Sequence, residues 1–152
     1  MEQPSGKSKQ NNSIVLIDAD AFIALVKEDD TNHARAVELL ERLEPLPITF
    51  VTTNYVFSEA VTVISQRIGH MEAVQFADSL KTPQSHIQIR QIETTLDDKA
   101  LHLFRKQSSK NTSFVDCSNM ALLEYYDAQY IFSFDAVYKS NGYLTADMFV
   151  AS

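Results

Sequence analysis

Ser13-Ile14-Val15-Leu16-Ile17-Asp18 places four aliphatic residues, three of them β-branched, in an unbroken run and closes it with an acid. A short run with no polar residue at every second position reads as a strand covered on both faces, the kind that belongs to a parallel sheet. Outward from it the chain alternates strand-like runs with helical periodicity. His33 to Leu43 carries Ala36, Val37, Leu39, Leu40 and Leu43 on one stripe with Arg35, Glu38, Glu41 and Arg42 opposite, an amphipathic helix that Pro45 and Pro47 stop. Ile48 to Val51 reads as the next strand, and a helix follows from Asn54 to Ile68, with Thr53 or Asn54 as N-cap and Gly69 at its C-terminal cap. Further elements are a helix from Met71 to Leu80, a strand from His86 to Ile89 and a helix from Thr94 to Arg105. Ser113 caps an apolar helix running to about Tyr126, Tyr130 to Phe134 is a strand, Ala136 to Lys139 a turn, and Gly142-Tyr143-Leu144 starts an edge strand. This rhythm predicts a three-layer α/β/α domain, with a mostly parallel central sheet and helices on both faces. Sites in such folds form outside the carboxyl ends of the strands, where the chain order reverses.

Composition narrows the class. The chain has 152 residues, 45% of them apolar and 22% charged, with three Gly, four Pro and a formal charge of −7. That suffices for one core without staples, here residues 13–152. Residues 1–12 are polar and aperiodic, and read as a disordered extension or an expression remnant. Glu2 against Lys7 and Lys9 gives that segment +1, leaving −8 for the domain, so a polyanion needs a local basic patch or metal ions between it and the protein. The lone Cys117 forms no internal disulfide, no apolar run approaches the roughly 20 residues that cross a bilayer, and the expected compartment is the cytoplasm.

Asp18, Glu59, Asp116 and Asp135 stand at the ends of expected strands or within apolar helices. Carboxylates brought to one point repel and resist desolvation, so a fold that converges them normally does so for a divalent cation. Each also has a plain structural explanation. An Asp after a strand can cap the next helix; Asp20, just before Ala21-Phe22-Ile23-Ala24-Leu25, is the better candidate for that task, which frees Asp18. Glu59 falls by helical spacing on the apolar stripe of Val56, Ala60 and Val63, where a buried salt bridge is the alternative to a ligand role. Ser113-Phe114-Val115-Asp116 matches a capping box, and the same placement sets Asp116 at the positive end of a helix dipole. Asp135 ends a strand and can cap the turn that follows.

Taken together, IVLIDADAFIALV (residues 14–26), TTNYVFSEAVTVI (52–64), SFVDCSNMALLEYYDAQYIFSFD (113–135) and the closing YKSNGY (138–143) resemble the PIN-domain family, and within it the VapC-like toxin branch. DDTNHARAVELLERL is similar to the family's first amphipathic helix, and the likeness covers essentially the whole chain after the polar tail. The resemblance implies a ribonuclease dependent on Mg²⁺ or Mn²⁺, with one or two ions held by Asp18, Glu59, Asp116 and Asp135. It further implies that Ser133 orients a ligand or metal-bound water, that Asn119 faces the same pocket and contacts the scissile phosphate, and that a small antitoxin covers the site of a homodimer. Asp20 departs from the Ser, Thr or Asn usual in the family and stays outside the core set.

The residues are consistent with that chemistry. Oxygen ligands suit hard cations, and His33, His70, His86 and His102 fall in four different elements, which leaves a metal-free acid/base pair without support. Arg105, Lys106 and Lys110 before the Asp116 helix, with Lys139 after Asp135, are the candidate RNA contacts; for Arg105 and Lys106 the competing role is to complement a helix C-terminus. Two other readings exist. Val15-Leu16-Ile17-Asp18-Ala19-Asp20 also fits the strand-end acid pair of haloacid-dehalogenase-type phosphatases, with Asp18 as nucleophile, although Asp97-Asp98 starts a helix where a strand-end acid pair is needed. The second is a domain that keeps the acids but serves only as a protein-binding module.

Overall fold

Both faces of the opening strand are covered, as its aliphatic run requires. In the computed structural model, which describes residues 12–127 and 129–151, β1 (Ser13–Ile17) is the middle strand of a five-stranded sheet. Its partners are β2 (Ile48–Thr53), β3 (Ile87–Arg90), β4 (Tyr130–Phe132) and β5 (Leu144–Thr145), in the order β3-β2-β1-β4-β5, with every pairing parallel. The helices are α1 (Ala19–Val26), α2 (His33–Leu43), α3 (Asn54–Arg67), α4 (His70–Lys81), α5 (Thr94–Arg105), α6 (Phe114–Tyr126), α7 (Val137–Ser140) and α8 (Ala146–Ala151).

The period of two along β1 sends alternate side chains into two cores. Val15 and Ile17 pack with residues of α1 to α4, while Leu16 packs with Met120, Leu122 and Leu123 of α6 and, at the edge, Leu96 and Leu103 of α5. The result is the expected three layers. Val15 and Leu16 are wholly buried, each worth ~1.5–3 kcal/mol of apolar transfer, so β1 anchors the residue that follows it. Asp18 is that residue.

Several boundaries differ from the sequence expectation, and each has a local cause. Strand β4 ends at Phe132 instead of Phe134, because the Phe134 amide donates to Asp20 Oδ2 at 2.8 Å and so leaves the ladder. The expected turn after Asp135 is a helical turn, α7, whose Val137 amide is capped by Asp135 Oδ1 at 2.9 Å. Gly142 leaves α7 with φ +86°, a conformation that favours glycine, and delivers the chain to β5 and then to α8, a short helix with no clear signal in the sequence. Gly69 is the N-cap of α4, and Ile68 takes the C-cap of α3. The expected polar tail lies outside the described residues apart from Asn12. Among the described residues no helix is long and apolar enough to cross a membrane.

The strand order decides where a site can form. Chain order runs from β1 outward through β2 and β3, then returns to β4 on the other side of β1 and continues to β5. The reversal opens a crevice at the carboxyl ends of β1 and β4. Asp18 follows the first and Ser133 to Asp135 the second.

Candidate active site

Asp18 is 6% exposed and anchors the site from the end of β1. It is also the N-cap of α1: its Oδ1 accepts the Ala19 amide at 2.8 Å, so the cap expected of Asp20 belongs to Asp18. The reason is geometric. An N-cap has extended backbone, as Asp18 does with φ −87° and ψ 166°, and Asp20 already sits inside the first helical turn. Asp20 instead turns across the crevice to the Phe134 amide through Oδ2, while its buried Oδ1 has no hydrogen-bond partner.

Asp116 divides its two carboxylate oxygens between the cap and the crevice. Its Oδ2 accepts the Ser113 amide at 2.9 Å and its own amide donates to Ser113 Oγ at 3.0 Å, a complete capping box. Its Oδ1 points into the crevice and accepts from the Tyr138 hydroxyl at 3.2 Å. That hydroxyl also reaches Asp18 Oδ2 at 2.8 Å, which sets the two carboxylate oxygens no more than about 6 Å apart. At an effective dielectric of 20, two full charges at that distance repel by ~3 kcal/mol, so the phenol between them matters. Asn119 completes the clamp, its Nδ2 donating to Asp18 Oδ1 and to the Tyr138 oxygen, each at 3.0 Å.

Asn119 and Tyr138 are fully buried. The Asn119 Nδ2 group is committed to Asp18 and Tyr138, while its buried Oδ1 has no hydrogen-bond partner. Tyr138 is the residue the sequence reading missed. Its signal is a tyrosine three positions after Asp135, at the head of the YKSNGY run, which once α7 forms lies one turn on and points back toward β1.

Glu59 corrects a second expectation. It lies on α3 between the buried Val56 and Ala60, yet its own position is exposed, one rotation away from the buried stripe. Its carboxylate opens onto a shallow depression lined by Tyr55, Ser58, Thr62, Val63 and Val115, and among the described residues it forms no hydrogen bond or ion pair, so the buried salt bridge is absent. Asp135 is exposed on the far side of the crevice, its amide donating to Ser133 Oγ at 3.1 Å. Ser133 also favours the charged form of Asp20.

The electrostatics follow from this crowding without counter-charge. Burial, then Asp20 and more weakly Asp116, pushes the Asp18 carboxyl up to about 7. Burial raises Asp20 and Asp116 above the ordinary range, with Asp135 adding to both, and burial together with Asp116 and Asp20 raises Glu59. Tyr138 is held well above the usual phenol value by burial and by Asp18 and Asp116, so it remains a proton donor. Among the described residues none of these five carboxylates has a Lys, Arg or His in ion-pair contact.

Three of the four expected cations lie away from these depressions. Arg105, Lys106 and Lys110 are exposed and line neither depression that touches the acids; Lys106 acts on Glu124, near the opposite end of α6 from Asp116. Lys139 does lie beside Asp135, in a cleft of about 360 Å³ that Arg35 and Arg42 also line. Cys117 is buried with its thiol raised by burial, which removes it as a nucleophile, and no histidine lines either depression.

For a metal the donor set is all oxygen, as a hard cation requires, and the orphaned Asp20 Oδ1 is an acceptor still open. Among the described residues, however, no group of three or more His, Cys, Asp or Glu side chains is drawn tight enough to hold one ion directly. The carboxylates are gathered at electrostatic range instead. This suits Mg²⁺, which keeps several waters and takes one or two carboxylates, better than an ion needing a closed protein cage.

The class that the fold and site define is a parallel α/β domain with acids lacking an ion-pair partner, among the described residues, at its switch point. The chain belongs to the PIN domain family, whose profile matches residues 15–142. It is 23% identical over 131 residues to the protein named 23S rRNA-specific endonuclease VapC20 of Mycobacterium tuberculosis, covering 86% of this chain and 96% of that one. The crystal structure of M. tuberculosis VapC20, titled a Sarcin-Ricin loop cleaving toxin, superposes with a TM-score of 0.76 at 22% identity over the same shares. A chain of a toxin-antitoxin complex from Klebsiella pneumoniae matches with a TM-score of 0.54 and 11% identity, over 80% of this chain and 87% of that one. The phosphatase reading loses its acid pair, since Asp97 is on α5 and accepts from the Tyr55 hydroxyl at 2.6 Å.

Proposed function

We propose that this chain is an endoribonuclease that hydrolyses RNA phosphodiester bonds at the crevice of Asp18, Asp20, Glu59, Asp116 and Asp135, and that it serves as the toxin of a toxin-antitoxin pair. The observation that carries the reading is the set of five carboxylates without an ion-pair partner at the switch point of a PIN domain, four of them pushed above their ordinary range. Such crowding in a cleft marks a functional site, where a ligand relieves the repulsion.

Asp18 and Asp116, with Asp20, Glu59 and Asp135 around them, would hold Mg²⁺ or Mn²⁺. Bound there, one or two such ions supply positive charge against the phosphate and lower the pKa of a coordinated water. The remaining work falls to the chain. Tyr138 and Asn119 fix the oxygens of Asp18, the capping box fixes Asp116, and Ser133 holds the loop that carries Asp135. Glu59, solvent-facing, free of hydrogen bonds and raised above the ordinary carboxylate range, would accept the proton of the attacking water.

The test is cleavage of ribosomal RNA, the substrate named for the mycobacterial relative, with and without Mg²⁺ or Mn²⁺, beside Asp18→Asn and Asp116→Asn. Loss of most activity in either variant is expected, together with loss of Mn²⁺ binding measured by calorimetry. Mn²⁺ binding without turnover on any RNA would favour the protein-binding module. Growth arrest on expression, relieved by a small co-expressed partner, checks the toxin assignment, and light scattering checks the homodimer that the family resemblance implies.

A further inference from the structure

The crevice opens on two sides of very different chemistry. On the Glu59 side the depression is walled by Tyr55, Val63 and Val115 and carries no Lys or Arg. On the Asp135 side the cleft carries Arg35 and Arg42 from α2 and Lys139 from α7. In a domain this acidic, a site for a polyanion depends on where its few cations stand, and three of them share this cleft.

We infer that the cleft between α2 and α7/α8 is the track for the phosphates on one flank of the scissile bond, with Arg35, Arg42 and Lys139 as the contacts. The inference rests on the RNA-cleaving reading above and gives that reading a direction. Arg35 is pre-oriented, its guanidinium 4.8 Å above the Phe134 ring and one NH group on Asn32 Oδ1 at 3.0 Å. A planar fork held at one edge still offers donors for a phosphate at the other. Arg42 and Lys139 have only long contacts, 3.5 Å to the Val150 carbonyl and 3.9 Å to Asp147, which a phosphate oxygen can replace. Glu38, Asp135 and Asp147 also line the cleft, equal in number to its cations, so the track discriminates by local contact and not by bulk attraction. Phe134 links track to site: its ring lies under Arg35 while its amide is held by Asp20.

The experiment measures cleavage kinetics and salt dependence for the full chain and for Arg35→Gln, Arg42→Gln, Lys139→Gln and the triple variant. Each contact removed flattens the slope of log affinity against log salt by ~0.7 for a single strand, so the triple variant loses about 2 from its slope. KM rises, while kcat and Mn²⁺ affinity stay at the parent value. Arg35→Lys restores part of the loss. Uncharged methylphosphonate linkages placed on one flank of the scissile bond reproduce the triple variant, and on the other flank they change little. Parent-like slope and KM in the triple variant, while the parent still cuts RNA, overturn the track and leave the ribonuclease reading standing. Equal sensitivity to neutral linkages on both flanks overturns its one-sidedness. If the variants lose a protein partner but keep their RNA salt slope, the cleft is a protein-docking surface and the inference fails. Failure of the parent to bind RNA at all removes both readings.

Discussion

Replacing Asp18 by Asn should make the metal-free protein more stable at pH 8. Asp18 is buried and its carboxyl is pushed from 3.8 to about 7, a distance worth ~4 kcal/mol at 1.36 kcal/mol per unit. The folded chain keeps this proton up to about pH 7, whereas the unfolded chain releases it near 3.8. Folding therefore takes up a proton between those values, stability falls as pH climbs through that window, and the full penalty is present above it. An amide removes the charge at little cost in contacts. Asn caps a helix about as well as Asp, its oxygen can keep the Ala19 and Asn119 bonds, and its NH₂ can donate to the Tyr138 oxygen while that hydroxyl turns to Asp116. Neighbouring carboxylates share the relief, so we expect a gain of ~1–4 kcal/mol in urea unfolding at pH 8 with a chelator, and about a third of that at pH 5. Mn²⁺ should raise the stability of the parent and leave the variant nearly unmoved. A variant less stable than the parent at pH 8, or a gap that ignores pH, would refute the idea that Asp18 is held under electrostatic stress.

Tyr138→Phe removes the donor shared by Asp18 and Asp116, and loss of a charge-assisted hydrogen bond costs ~1.5–3 kcal/mol. A Tm lowered by ~3–10 °C is expected by scanning calorimetry. Mn²⁺ affinity should fall by roughly tenfold to a hundredfold, with KM for RNA unchanged, because the phenol orients ligands and touches no substrate. Unaltered Mn²⁺ affinity would leave Tyr138 a packing residue only. Ser113→Ala breaks the capping box and should cost ~1 kcal/mol in unfolding; a simultaneous loss of Mn²⁺ affinity would confirm that the same bonds aim Asp116 into the crevice. Glu59→Gln should abolish most cleavage with a stability change below ~0.5 kcal/mol, since its side chain is exposed and unpartnered. A large destabilisation there would return Glu59 to the core.

The layers and strand sequence were legible in the chain because burial on both faces leaves a plain mark: an aliphatic run such as Ile14 to Ile17, or an amphipathic stripe such as Ala36 to Leu43. Ser113 and Asp116 were legible for a similar reason, since a capping box is a local pattern of three-residue spacing. Local logic misled where two residues competed for one task. Asp18 and Asp20 are two positions apart, and only the backbone at the end of β1 decides that the first caps α1 while the second crosses to Phe134. The exposure of Glu59 was likewise beyond reach, because periodicity fixes a helix face only to within a residue of its edge.

By itself the sequence determined an α/β chain with acids at the ends of its strands, since periodicity and residue type are properties of neighbours along the chain. The tertiary structure alone decided that Asp18 and Asp116 meet across one buried hydroxyl, that a buried phenol and amide clamp them, and that Arg35, Arg42 and Lys139 line the cleft beside Asp135 while Arg105, Lys106 and Lys110 do not. Those facts depend on β4 returning to the far side of β1, which joins residues more than a hundred positions apart, and electrostatics acts through space without regard to that separation.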